Sequence, residues 1–191
     1  QHPMAGVYRA ARSPVLEWYH TRGRLHYAEA MLNKNDFGAL LRRLHQGKAL
    51  WYAPDQDFGA QRSIFVPFFG RSAATLKATW ILARRTGAKV VTMFPLRLPD
   101  GSYRIEIGPA LDVNQDAHSF LSELNMRLEQ TIRQAPEQYW WVHRRFKTRP
   151  PGRLGFYDLS QPIPPPDKSN VLIKPVPAQG KKGGDSEPGA R

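Results

Sequence analysis

The chain contains no cysteine, which removes disulfides, thiolate metal sites and a cysteine nucleophile from consideration. It also lacks any apolar run near the roughly 20 residues needed to cross a bilayer. Its opening stretch, "QHPMAGVYRAARSP", has no apolar core of the kind a secretory signal carries. Acidic residues are few: 16 Asp and Glu stand against 28 Lys and Arg, a formal net charge of +12. That excess draws the chain toward an anionic partner, whether nucleic acid, an acidic protein or lipid phosphates, without choosing among them. No G-x-S-x-G elbow, Walker loop or H-E-x-x-H motif occurs.

At 191 residues there is room for one domain and a tail. Nine of the 17 prolines lie beyond Arg149, and from Gln161 the composition turns to Pro, Gly and Lys. Such a segment buries too little apolar surface to offset its ordering entropy, so residues 159–191 are expected to form a disordered tail behind a folded part at 1–158. The first residue is Gln1, in what reads as a turn, and natural sequence is expected to precede it.

Within the folded part, periodicity predicts helices over 14–32 and 34–47, the second with Phe37, Leu40, Leu41 and Leu44 on one stripe and a stop at Gly47. "KALWYAP" follows as a buried strand. A helix is expected over 73–87, closed by Arg84, Arg85 and Gly87, then strands over 88–98 and 103–108 across the turn "PDGS". A long helix over 117–134 places Ala117, Leu121, Leu124 and Leu128 on one face. Alternating helices and strands argue for an α/β fold, a mixed central sheet flanked by helices with a hairpin at one edge.

Three stretches can carry chemistry. Asp55 and Asp57 in "APDQDFGAQRSIFVPFFG" directly follow a strand, where α/β sheets usually hold ligands; the alternative is a polar turn whose aspartates cap backbone amides. Arg9, Arg12, Arg22 and Arg24 form either a clamp for an anionic head group or a solvated basic surface. In "EQYWWVHRRFKTRPPG", Tyr139, Trp140, Trp141 and Phe146 interleave with His143, Arg144, Arg145, Lys147 and Arg149. That mixture suits lipid head groups and their phosphates. It also suits stacking on single-stranded nucleic acid, though no RNP, KH or zinc-finger pattern accompanies it. Two of its rings are candidates for the core, with at least one tryptophan expected buried.

His118 and Glu123 satisfy H-x4-E, the spacing of glycerolipid acyltransferase dyads. On a regular helix, five steps of about 100° leave them roughly 140° apart, so they are rejected as a catalytic pair.

Taken together, "GVYR", "WYAPDQDFG", "SIFVPFFG", "AATLKATWILARRTGA", "FPLRLPDG" and "APEQYWWVHRRFKTRPPG" closely resemble the bacterial lipid A biosynthesis acyltransferases, in order over about Gly6 to Gly152. The resemblance implies a glycerolipid-acyltransferase-like fold on the cytoplasmic face of a Gram-negative inner membrane. It implies transfer of a fatty acyl chain from acyl carrier protein or acyl-CoA to a hydroxyl of a lipid A precursor, with no metal, no organic cofactor and no nucleic acid partner.

Family members carry a membrane anchor and an H-x4-D/E dyad ahead of these stretches, so the dyad is expected upstream of Gln1. The resemblance further implies that Arg9 contacts a phosphate or head group. Asp55, Asp57, Arg62, Ser63 and Phe65 would lie along the substrate path, and Pro95 would end a site-shaping strand. Trp140, Trp141, Arg144, Arg145, Lys147 and Arg149 would meet the membrane or its phosphates. The rival readings are a catalytically incomplete lipid-phosphate-binding module and, behind it, a basic nucleic-acid-binding protein.

Overall fold

The computed structural model describes residues 3–157 together with 160 and 162, so the boundary at 158 and, those two residues aside, the tail over 159–191 fall outside the described residues. Gln1, read as lying in a turn, falls outside the described residues; strand β1 (Met4–Tyr8) is the middle strand of a parallel sheet. It is flanked by β2 (Ala30–Asn33) and β3 (Ala49–Trp51) in the order β2-β1-β3. The crossovers are α1 (Pro14–Leu25) and α2 (Phe37–His45). Gly6 permits the close pairing with β2, because a Cβ there would meet the Met31 thioether at 3.0 Å.

The helix expected over 14–32 therefore stops at Leu25. Glu29 N–H donates to Met4 O and opens the ladder with β1, so pairing decides a four-residue apolar run that has no period of its own. The buried strand expected at "KALWYAP" is a three-residue edge strand with Trp51 exposed. In α2, Asp36 caps the amide of Ala39 and Leu40 is buried.

Residues 63–76 form a hairpin of β4 (Ser63–Phe68) and β5 (Arg71–Leu76). It turns on Phe69 and Gly70, which have φ of 49° and 69°. The helix expected from Ala73 thus begins only at α3 (Ala78–Thr86), ending on left-handed Gly87 as predicted. Ala73 and Ala74 have good helix propensity, but they are wholly buried in β5, where their small side chains admit the elements packed above. The expected hairpin, β6 (Met93–Arg97) with β7 (Tyr103–Ile107), is present as a two-stranded sheet of its own rather than as the edge of a larger one. Gln138 sits on the outer edge of β6, accepting from Arg97 N–H and donating to Arg97 C=O, both at 2.9 Å. The fold is mixed α/β, with its strands shared among three sheets.

Helix α4 (Ala117–Gln134) starts on Asp116, which caps the amides of His118 and Ser119. Its apolar residues reach two clusters, Val66, Leu111, Phe120 and Leu121 in one and Phe68, Ala73, Ile132 and Phe146 in the other. At about 1.5–3 kcal/mol for each fully buried large apolar side chain, these clusters fasten α4 to the β4–β5 hairpin. The same face buries Asn125 and Glu129. Asn125 donates to Pro67 O and Thr75 Oγ1, while Glu129 accepts from the amide of Phe69 and so braces the strained turn. Among the described residues no helix is long and apolar enough to cross a membrane.

Candidate functional site

Because β1, β2 and β3 are parallel, their C-terminal ends leave the sheet on one side. Arg9 follows β1, Lys34 follows β2 and the carboxylate loop over 53–59 follows β3, so three segments far apart in sequence meet at the edge where such sheets hold ligands. Lys34 Nζ stands 5.0 Å from the centre of the Phe58 ring and ties the end of β2 to that loop.

Asp57 is fully engaged inside the chain. Its Oδ1 accepts from Gly59 N–H at 2.9 Å and from the Thr148 hydroxyl at 2.8 Å, and its Oδ2 accepts from Thr148 N–H at 2.6 Å. Its own amide donates to His143 Nε2 at 2.9 Å, which places the ring proton of neutral His143 on Nδ1. Burial, and then the charge of Asp55, push the ionisation of the Tyr139 hydroxyl up. For Asp57 the amide-capping alternative is therefore part of the structure, extended by contacts to His143 and Thr148.

Arg145 is the correction. Expected to meet membrane phosphates, it is 2% exposed. Its Nη1 donates to Ala74 O at 2.7 Å, its Nη2 to Thr75 Oγ1 at 2.8 Å, and its guanidinium lies 5.1 Å from the centre of the Phe68 ring. Burial lowers its pKa, opposed by Tyr139, Asp55 and Asp57. A buried cation needs such partners, and only the folded chain brings them together.

Around it, Phe146 and, in part, Tyr139 supply the core rings. The tryptophan expected to be buried is not: Trp140 is 70% and Trp141 50% exposed. Arg144 and Lys147 are exposed as well, while Arg149 is partly buried and donates to Ser72 O at 3.0 Å.

Arg9 and Arg62 are exposed. Ser63 is buried with a hydroxyl that has no hydrogen-bond partner among the described residues, and Phe65 is half-buried on the face of β4 opposite Val66. Pro95 lies within β6, opposite Ile105 of β7, rather than ending the strand. Arg22 and Arg24 stack on different rings, Trp18 and Tyr8. Glu17 tethers α1 by accepting from Tyr8, Ala11 and Thr21, and those donors hold its carboxyl below the usual range. His118 is exposed and Glu123 pairs with Arg127, consistent with rejecting them as a dyad. Among the described residues no cluster of His, Asp and Glu could hold a metal.

Sequence reasoning missed His143 and Thr148 as partners of the carboxylate loop. The Asp57 contacts span 86 and 91 residues, and no local pattern announces them.

The family model described as bacterial lipid A biosynthesis acyltransferase matches residues 1–148. The chain is 44% identical over 159 residues to the lipid A biosynthesis lauroyltransferase of Escherichia coli K12, covering 80% of this chain and 51% of that protein. It is 40% identical over 158 residues to the palmitoleoyltransferase of the same organism (81% and 52% covered) and 31% over 160 residues to its myristoyltransferase (81% and 49%). The chain thus spans about half the length of the curated relatives it matches. With three quarters of its residues under one family model, the chain belongs to the bacterial lipid A biosynthesis acyltransferase family.

Proposed function

We propose that the protein transfers a fatty acyl chain from acyl carrier protein, or from acyl-CoA, to a hydroxyl of a lipid A precursor at the cytoplasmic face of the inner membrane. The observation that carries this reading is the family match together with the junction at the C-terminal edge of the parallel sheet. There, exposed cations flank a carboxylate loop that leads, through one helical turn at Ala60–Arg62, into the apolar strand β4. An acceptor bearing sugar phosphates and acyl chains needs both environments side by side. Cations match the phosphates, and an apolar slot gains about 0.8 kcal/mol for each methylene it removes from water.

On this reading Arg9 and Arg62 meet phosphate, Asp55 and Asp57 hold the loop beside the acceptor, and Ser63 and Phe65 lie along the acyl path. Trp140, Trp141, Arg144, Lys147 and Arg149 face lipid head groups. The H-x4-D/E dyad that removes the acceptor's hydroxyl proton is supplied by the half of the family's length that this chain does not span. Acyl transfer of this kind needs no metal or organic cofactor.

The test is mass spectrometry of lipid A from cells lacking the late acyltransferases and given the full-length gene, with Arg9→Ala and Asp57→Ala alongside. A gain of one acyl mass is expected from the intact gene and a reduced gain from each variant. No gain from the intact gene would leave only a lipid-phosphate-binding module.

A further inference from the structure

We propose that residues 139–149 are a strap that sets the geometry of the carboxylate loop for acyl transfer, with Arg145 and Thr148 as positioning residues. The inference rests on the reading of that loop as part of the transfer site.

Left to itself the loop has little to fix it. Residues 53–59 follow an edge strand of three residues, and the one internal hydrogen bond found there is Gly59 N–H to Asp57. The strap supplies what the loop lacks: His143 to the Asp57 amide, and two Thr148 donors to the two Asp57 oxygens. On its other side the strap is bolted to the β4–β5 hairpin. Arg145 reaches Ala74 and Thr75, Arg149 reaches Ser72, and Phe146 packs against Phe68, Ala73 and Ile132. Thr75 Oγ1 also accepts from Asn125 of α4. The loop is thereby referenced to the hairpin and α4, the best-packed part of the fold, rather than to its own strand.

Stability alone is a poor account of Arg145. A desolvated guanidinium is costly, its Nε is buried without a partner, and an apolar residue of similar length would fill the space at lower cost. What a planar fork adds is register. With Nη1 and Nη2 fixed on consecutive residues of β5, the strap cannot slide, and His143 and Thr148 arrive at Asp57 from either side. Asp57, saturated by three donors, is then the anchor of the loop, and the neighbours it orients are free to meet substrate.

The experiment uses the full-length protein and four variants, Thr148→Val, Thr148→Ser, Arg145→Met and Arg145→Lys. Two readouts are compared, amide hydrogen exchange of residues 55–59 against that of α4, and acyl-transfer kcat against KM for the acyl donor. Thr148→Val keeps the shape and deletes the hydroxyl donor. It is expected to speed loop exchange and lower kcat about tenfold, the scale on which small misplacements slow a reaction, with KM within about twofold and α4 exchange unchanged. Thr148→Ser restores both. Arg145→Met, and to a lesser degree Arg145→Lys, reproduce the loop effect.

Wild-type loop exchange and kcat in both Thr148→Val and Arg145→Met would overturn the proposal, as would α4 exchange rising in step with the loop or failure of serine to restore kcat. Should Arg145→Met not fold, the Thr148 pair decides. Should the unmodified protein transfer no acyl chain, the functional reading falls, while the exchange comparison still settles whether the strap sets the loop.

Discussion

Two stretches of this chain look alike on paper. Residues 9–24 and 139–149 are each short, basic and aromatic, yet the structure treats them in opposite ways. Helix α1 in the first buries no residue and leaves Trp18, Tyr19 and Leu16 in solvent beside an open groove of about 660 Å³. The second threads Arg145 and Phe146 into the interior and leaves its tryptophans outside. What separates them is the supply of acceptors. Arg145 meets a backbone carbonyl, a hydroxyl and a ring face in the interior, whereas Arg22 and Arg24 lie over rings at the surface. Composition proposes a basic patch; the groups facing it decide whether it is a surface or a bolt.

The contrast can be broken by mutation, beginning where most is at stake. Arg145→Ala strips the Ala74 carbonyl and the Thr75 hydroxyl of a buried cationic donor, and chemical denaturation should register a loss of about 4 kcal/mol, at about 2 for each hydrogen bond from a charged group. An unchanged midpoint would mean that the guanidinium is no bolt. Phe146→Ala removes a ring from the second apolar cluster and should cost about 3 kcal/mol in the same assay.

A smaller effect belongs to Glu29. Hydrogen bonds from Arg43, and then from Lys48, lower its carboxyl from 4.5 to about 2. A depressed folded-state value stabilises the fold above pH 4.5, and that contribution is lost as pH falls toward 2. Glu29→Gln should therefore flatten the acid slope of stability in that window, and thermal melts that keep the full slope would contradict the pairing. Least affected should be the α1 double variant Trp18→Ala with Arg22→Ala, expected within about 0.5 kcal/mol of the parent. A loss as large as that of Phe146→Ala would show that α1 is not the exposed element described.

What could be read from the sequence was local. Gly87 ended its helix in the left-handed region, "PDGS" turned a hairpin, and helix α4 ran over the predicted residues because an aspartate cap and an apolar stripe both lie within it. The carboxylate loop was placed correctly after a strand because strand and loop are contiguous. Where pairing with another segment decided the outcome, the sequence misled. Ala73 and Ala74 carry helical propensity and became a strand because β4 lay alongside, and "AMLN" left its helix to pair with β1. Arg145 reads as surface until Thr75, seventy residues earlier, is found against it. The stripe on α4 named Leu124 and Leu128 but not Asn125 and Glu129, which are buried because hairpin backbone groups needed partners there.

Among the described residues the hairpin of β6 and β7 has no third strand, and Met93, Ile105 and Ile107 leave one of its faces apolar and exposed. A ladder ending in free amides and carbonyls beside such a face invites another chain to add to it and to keep growing. The carboxamide of Gln138 imitates one residue of a neighbouring strand, filling the donor and the acceptor of Arg97 at once. A single side chain thus acts as a stopper at that end of β6, guarding a sticky sheet against runaway self-association at the cost of one glutamine.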